Sequence, residues 1–189
     1  MSRLDLVVGP NGSGKSTFIR KVVVPKWPAA AVVDPDAIAV QNWPEDPESH
    51  GYEAAEIAAA TRARLIELSR PFVAETVFSH PSKLDLLDVA RGAGYYIAMH
   101  VLLVPEELAV ARVAYRKAGG GHGVPEDKIR GRYQRLWDNV AVAVTRSDSA
   151  TFWDNSRFDG PVCVALFADG VVVGSPSWPP WAPAVVANR

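Results

Sequence analysis

The chain has 189 residues, 48% of them hydrophobic, and its 20 lysine and arginine residues against 21 aspartate and glutamate residues give a net charge of −1. This length favours one domain, over residues 1–189, with a sizeable buried core. Because the chain carries no basic excess, we expect neither nucleic acid nor a membrane surface as its main partner.

The first predicted element is a short apolar strand, residues 4–8, that runs directly into a glycine-rich loop. The loop reads Gly9, Pro10, Asn11, Gly12, Ser13, Gly14, Lys15, Ser16 and Thr17. It fits the phosphate-binding pattern G-x-x-x-x-G-K-S/T between a strand and a helix, whose backbone N–H groups and helix dipole attract a phosphate chain. We therefore expect a nucleoside triphosphate, with Lys15 on its β- and γ-phosphates and Ser16 in the shell of a magnesium ion.

Two further strands are predicted to end in acidic residues. Residues 29–33 are short, small and apolar, which predicts a buried strand followed by Asp34 and Asp36, and residues 71–74 predict a third strand that ends at Glu75. Open α/β sheets place their chemistry at such strand ends, so Asp36 and Glu75 can face one cleft. Alternatively, Glu75 has no role in the chemistry and only caps a helix. Between these strands we predict a loop over 41–52 and an amphipathic helix over 53–69.

The middle of the chain predicts a basic lid. A helix over 82–94 and an apolar strand over 95–104 lead to two helices, 106–117 and 126–145, joined by a glycine run that makes 118–124 a flexible lid loop. The flanking cations are Arg112, Arg116, Lys128, Arg130, Arg132 and Arg135. A basic, glycine-hinged helix–loop–helix suits a lid whose arginines close on a departing phosphate. The alternative is a solvated charged face around an ordinary loop.

The C-terminal part predicts a strand, a hairpin and a tail. The strand covers 150–154, the hairpin strands cover 162–167 and 171–173, and residues 175–189 form a Pro/Trp-rich tail that we expect to be structural. The one cysteine, Cys163, excludes an internal disulfide and, on an apolar segment, is expected in the core. With no signal peptide and no bilayer-length apolar run, we expect a cytoplasmic protein.

Four sequence segments in this order resemble the zeta-toxin-like family of P-loop kinases, in a short single-domain form. The segments are Gly9 to Thr17, residues 33–39, residues 74–79, and residues 120–125 with 129–133. The resemblance covers about residues 4–139 and implies an α/β fold, a P-loop NTPase-type parallel sheet flanked by helices, to which we add the predicted C-terminal β-hairpin.

The resemblance also implies an activity and roles for residues. Toxin members of that family phosphorylate a hydroxyl of UDP-N-acetylglucosamine with ATP and Mg2+. By that resemblance Asp36 is the base, Lys15 and Arg116 clamp the γ-phosphate, and Glu75 lies near magnesium and acceptor. Thr76 and Arg132 are then substrate-binding residues, and an antitoxin-like protein is an expected partner. The second lid arginine of the toxins falls near His122 here, with Arg130 and Arg132 as the nearest replacements.

These patterns together predict an ATP-dependent phosphotransferase acting on a hydroxyl of a small molecule, such as a nucleotide sugar. A GTP switch is disfavoured, because the sequence lacks the guanine-reading Asn-Lys-x-Asp. The alternatives are a nucleic-acid-end or nucleoside kinase, which needs the same loop, base and lid, and a P-loop ATPase that transfers no phosphate. The missing basic groove argues against a nucleic-acid substrate.

Overall fold

Seven strands form a single mixed sheet within the part of the chain that the computed structural model describes, residues 2–121 and 123–188. Their order across the sheet is β2-β3-β1-β4-β5-β6-β7. The strands are β1 Arg3–Val8, β2 Ala31–Val33, β3 Phe72–Thr76, β4 Tyr96–Leu103, β5 Ser149–Asp154, β6 Val162–Ala168 and β7 Val171–Val173. Strands β1 to β5 pair with one another in parallel, whereas β6 pairs antiparallel with both β5 and β7. This arrangement confirms the predicted α/β P-loop fold with a C-terminal hairpin.

Helices connect the parallel strands, and the last helix along the chain lies in the C-terminal tail. They are α1 Lys15–Phe18, which continues as a π-helical segment Ile19–Val23, α2 Pro35–Asn42, α3 Gly51–Glu67, α4 Leu84–Gly92 after a 3-10 turn Pro81–Lys83, α5 Glu106–Ala118, α6 Glu126–Val144 and α7 Ala184–Ala187. Local sequence explains where several begin. The Asp34 side chain caps α2 by accepting a hydrogen bond from the Asp36 N–H, while α5 and α6 follow prolines and carry two acids in their first turn. None of the helices described is long and apolar enough to cross a membrane.

The core lies on both faces of the sheet. Side chains at Leu4, Leu6 and Val8 of β1 join the larger cluster with α3, α4 and α6, whereas Val7 belongs to a smaller cluster with Phe18 of α1. This alternation is the two-residue period of a strand, and burial on both faces explains why β1 reads as a continuous apolar run. Each fully buried aliphatic side chain of this kind contributes about 1.5–3 kcal/mol.

Two burial predictions are wrong. The second strand was expected to be buried, but β2 pairs with β3 alone at the sheet edge, and Val32 is 46% exposed. Cys163 was expected in the core and is exposed, since β6 lies beside the three-residue edge strand β7. In the tail, the Trp178 ring lies edge-on to Phe152, with centroids 5.0 Å apart.

Candidate active site

The glycine-rich loop, residues 9–17, is packed tightly against two neighbours. At Gly12, where φ is 76°, a Cβ atom would lie 2.5 Å from the Ala109 carbonyl oxygen of α5. At Gly14, where φ is 88°, a Cβ would lie 2.6 Å from the side-chain nitrogen of Asn155. Both the backbone angle and the close approach require glycine at these two positions. The loop is therefore held from α5 on one side and from the end of β5 on the other.

Glu75 connects the first helical residues of the loop to the end of β3. The Ser16 hydroxyl donates a hydrogen bond to Glu75 Oε2 at 2.9 Å, and Lys15 Nζ lies 3.7 Å from Glu75 Oε1. Lys15 Nζ also donates to the Pro10 carbonyl at 3.1 Å. These contacts follow from the topology, because β3 pairs with β1 and its carboxyl end therefore lies beside the loop. Glu75 is only 8% exposed.

Three carboxylates lie close together at the ends of β2 and β3. Burial is the main cause that raises the pKa of Glu75; the Lys15 charge opposes this, and Asp34 and Asp36 add to it. Burial, followed by the Asp36 charge, also raises the pKa of Asp34. Asp36 itself is exposed to solvent. Such a cluster of mutually repelling carboxyl groups is typical of sites that bind a cation or accept a proton.

Two adjoining cavities meet at these residues. The first, the loop cavity, has a volume of about 260 Å3 and is lined by Asn11, Gly12, Gly14, Lys15, Ser16, Thr17, Asp36, Glu75, Arg112 and Arg116. The second, the strand-end cavity, has a volume of about 200 Å3 and is lined by Asn11, Lys15, Asp34, Pro35, Asp36, Glu75, Thr76, Val77, Phe78, Ser79, Lys83 and Arg132. Four residues line both: Asn11, Lys15, Asp36 and Glu75.

The arginines of the predicted lid lie in different surroundings. Arg116 is exposed and lines the loop cavity. Arg112 also lines that cavity, but its guanidinium donates to the carbonyls of Asn155 and Ser156, at 2.9 and 3.4 Å. Arg130, one of the two expected replacements for the second lid arginine, is bound instead by Glu106, Glu107 and Glu126, outside both cavities.

Arg132 is the other expected replacement, and it lies in the strand-end cavity. Its Nη1 donates to Asn11 Oδ1 of the glycine-rich loop at 3.4 Å. His122, near which the second lid arginine was expected, lies outside the described residues. Gly123 just beyond it donates its backbone N–H to Glu48 Oε1 at 2.9 Å. This bond links the loop before α3 to the segment before α6.

The segment that follows β3 is fixed by side chains. Thr76 lines the strand-end cavity, and its hydroxyl accepts a hydrogen bond from the Phe78 N–H at 3.1 Å. Phe78 adopts a left-handed backbone with φ 64°, and its carbonyl accepts from the buried Asn139 side chain at 3.0 Å. A non-glycine residue in this conformation is held by its surroundings. The cavity wall is therefore a fixed structure.

Sequence reasoning missed Asn155 and Asn139. Asn155 follows β5, and its side-chain amide donates to the Ser13 carbonyl at 2.7 Å. Its one signal in the sequence is a position directly after a predicted strand. Asn139 lies in the middle of α6 and carries no signal, because an amide in a long helix is usually solvated.

The donor set at Ser16 and Glu75 fits one particular kind of metal ion. No group of three or more His, Cys, Asp or Glu side chains that could hold a metal occurs among residues 2–121 and 123–188. One hydroxyl and one carboxylate suit Mg2+, which keeps several waters and takes its remaining oxygen ligands from substrate phosphates. These residues therefore fit a magnesium ion that arrives with a nucleotide.

A family model described as AAA domain (AAA_33) matches residues 4–136. An uncharacterized protein of Haemophilus influenzae is 30% identical over 129 residues, which cover 66% of this chain and 88% of the relative.

Solved structures share the fold at low sequence identity. The AvrRxo1-ORF1:-ORF2 complex with ATP has a TM-score of 0.71 at 15% identity, and the match covers 92% of this chain and 60% of that one. A structure from the PezAT chromosomal toxin-antitoxin system of Streptococcus pneumoniae has a TM-score of 0.67 at 13% identity, and covers 100% and 83%. The chain thus spans 60% of the length of the AvrRxo1 chain it matches. At these identities the likeness concerns the fold alone.

Proposed function

Since the chain belongs to the AAA domain family, whose P-loop it carries intact, we propose that it is an ATP-dependent phosphotransferase. In this proposal the loop cavity holds the phosphates of ATP, and the strand-end cavity holds a small molecule with a free hydroxyl. The presence of ATP in the structurally similar AvrRxo1 complex supports the choice of nucleotide.

One observation carries the proposal: Asp36 lines the wall that the two cavities share. A transfer reaction needs the acceptor hydroxyl at bonding distance from the donor phosphate and within hydrogen-bond reach of a base. A hydrolase that only activates water has no use for a second cavity with its own cations. Asp36 is exposed and lines both cavities, so its carboxylate is within reach of a hydroxyl bound at their junction.

The proposed reaction is a single displacement at the γ-phosphorus. The acceptor oxygen attacks it, the bond to the β–γ bridging oxygen breaks, ADP leaves, and the hydroxyl proton passes to the Asp36 carboxylate. Lys15 and Arg116, both on the wall of the loop cavity, neutralise the charge on the moving phosphoryl group. Thr76 and Arg132, on the wall of the strand-end cavity, are the proposed contacts to the acceptor.

Ser16 and Glu75 are the residues proposed to hold the magnesium ion. The ion would supply charge neutralisation at the phosphates. The Ser16 hydroxyl donates a hydrogen bond to Glu75, so the two oxygens that would hold the ion already lie side by side. An ionised Glu75 suits that arrangement, and the neighbouring Lys15 favours the ionised form against the effect of burial.

For the acceptor we propose a nucleotide sugar such as UDP-N-acetylglucosamine, on the strength of the resemblance to the zeta-toxin-like family. The PezAT likeness supports the fold that this proposal requires. An antitoxin-like protein partner is proposed on the same basis.

The test is transfer of radiolabel from the γ-phosphate of ATP to a panel of nucleotide sugars, sugars, nucleosides and oligonucleotide ends, with Lys15→Ala as the inactive control. We expect label on one small-molecule class. Label on oligonucleotide ends instead would make the protein a nucleic-acid-end kinase, and release of inorganic phosphate alone, unaffected by any acceptor, would make it an ATPase.

A further inference from the structure

Two half-buried cations, Arg62 of α3 and Lys83 of the turn before α4, lie together in a third cavity of about 200 Å3. This cavity is lined by Pro35, Ala55, Ala59, Arg62, Ala74, Glu75, Thr76, Phe78, Ser82, Lys83 and Leu86. Five of these residues, Pro35, Glu75, Thr76, Phe78 and Lys83, also line the strand-end cavity. The third cavity is thus an extension of the space proposed for the acceptor.

Neither cation forms a hydrogen bond or an ion pair with another residue in the part of the chain described, 2–121 and 123–188. Burial lowers the pKa of Arg62, and burial together with the Arg62 charge lowers the pKa of Lys83. Arg64, only two residues further along α3, shows the contrast: it is exposed and pairs with Glu67 at 2.9 Å. Glu75 is the one carboxylate among the residues that line the same cavity, and it contacts Lys15 and Ser16 instead. Two like charges held together and half-buried, with no ion pair to either among the described residues, cost folding free energy.

The helix wall beside Arg62 leaves room for a ligand group. Ala55, Ala59 and Arg62 follow the i, i+4, i+7 spacing and so share one face of α3. The first two carry only methyl groups, which keeps the space in front of the guanidinium open.

We propose that Arg62 and Lys83 form an oxyanion subsite, and that the acceptor therefore carries a phosphate or a carboxylate group in addition to its reactive hydroxyl. This rests on the proposed function, in which the hydroxyl lies beside Asp36. The oxyanion occupies the third cavity, where the planar guanidinium of Arg62 offers paired donors and Lys83 offers a point charge. Asp34 and Asp36 line the strand-end cavity but not the third cavity, so these two acids and the two cations orient the acceptor.

The first experiment measures binding without any transfer. With the loop cavity saturated by a non-hydrolysable ATP analogue and magnesium, inorganic phosphate is titrated by calorimetry. Losing one charge-assisted contact should weaken phosphate binding about tenfold in Arg62→Gln and in Lys83→Gln, whereas the matched Arg64→Gln should bind as the wild type does. If wild type binds no phosphate, or if all three variants bind it equally, the subsite is refuted.

A stability measurement separates a ligand subsite from a structural role. Because Arg62 and Lys83 repel each other, Arg62→Gln should leave the melting temperature of the ligand-free protein unchanged or raise it. A clear drop would mean that the guanidinium holds the fold together, and would overturn the proposal.

The second experiment compares transfer to three matched acceptors: a neutral sugar, its phosphate monoester and its uronic acid. We expect kcat/KM to be highest for one anionic member, which identifies the oxyanion, and to fall in Arg62→Gln for that member alone. Equal kcat/KM for the neutral sugar, with no effect of Arg62→Gln, would refute the subsite and leave the kinase proposal intact. Transfer neither to these three nor to any member of the wider acceptor panel, with phosphate binding as expected, would refute the kinase proposal and leave the subsite intact.

Discussion

The side-chain amide of Asn155 donates a hydrogen bond of 2.7 Å to the main-chain carbonyl of Ser13, across 142 positions of the chain. The Asn155 carbonyl in turn accepts a hydrogen bond from Arg112 of α5 at 2.9 Å. The glycine-rich loop, the end of β5 and helix α5 are therefore joined by one series of hydrogen bonds. This series holds the loop in a conformation whose backbone N–H groups can face a phosphate before one arrives, which lowers the ordering cost of binding.

Replacing Asn155 by alanine should weaken ATP binding. The loss of this partly buried side-chain hydrogen bond costs about 1 kcal/mol, which corresponds to about a fivefold rise in the dissociation constant for ATP. The matched control is Asn42→Ala. This change also removes a hydrogen bond from a side-chain amide to a main-chain carbonyl, at 2.9 Å, but at an exposed position in α2. Calorimetric titration with ATP and magnesium measures both. Equal ATP affinity in the two variants would show that Asn155 does not support the loop.

Removing Arg116 and removing Arg112 should have different consequences. Arg116 lines the loop cavity at an exposed position, so Arg116→Ala should lower kcat by a factor of about 100 or more while ATP affinity changes little, as expected for a transition-state contact. Arg112 bonds two carbonyls after β5, so Arg112→Ala should lower the melting temperature. Steady-state kinetics and thermal unfolding on both variants make the comparison. A drop in stability without a drop in kcat for Arg116→Ala would contradict its proposed role.

The sequence predicted those features of the site that depend on local pattern. The loop from Gly9 to Thr17 matches a known motif. The two acidic strand ends were predicted because each acidic residue directly follows a short hydrophobic segment. The topology then brings Glu75 to Ser16, because β3 pairs with β1. Arg130, one of the two candidates for the second lid arginine, pairs with Glu126 on its own helix and with Glu106 and Glu107 of α5. The i, i+4 pair can be read from the sequence, but the packing of α5 against α6 cannot.

Burial at the sheet edges was beyond sequence reasoning for a similar reason. A short apolar segment has the same composition at the centre of a sheet and at its rim, so Val32 and Cys163 were both expected to be buried. Their exposure depends on strand order, which long-range pairing decides. Asn155 was missed because its partner is remote in sequence.

The pH dependence of stability should report the environment of Glu75. Burial raises its folded-state pKa, so between its unfolded value, about 4.3, and the raised value the folded protein binds more protons than the unfolded chain. The free energy of unfolding should therefore fall as pH rises through that interval. Glu75→Gln lacks this contribution. The free energy of unfolding of the wild type minus that of the variant should therefore decrease, or change sign, as the pH rises.

Denaturant unfolding of the ligand-free protein, followed from pH 4 to 8, measures that difference. The control is Glu67→Gln, because Glu67 lies at the surface in an ion pair with Arg64. The difference in unfolding free energy between this variant and the wild type should stay nearly constant with pH. A wild-type advantage over Glu75→Gln that grows with rising pH would mean that the carboxylate is stabilised in the fold, contrary to its burial among other acids.

The most direct test of Asp36 as the base between two cavities compares Asp36→Asn with Asp34→Asn. Each change keeps the size of the side chain and removes its charge, and asparagine at position 34 still caps α2. The assay uses γ-labelled ATP and the acceptor that the wild type phosphorylates. The rate of label transfer should fall about 100-fold or more in Asp36→Asn, while its affinity for ATP stays nearly unchanged. Asp34→Asn should transfer label at close to the wild-type rate. Full transfer by Asp36→Asn, or loss in Asp34→Asn alone, would contradict the assignment and move the base to Asp34.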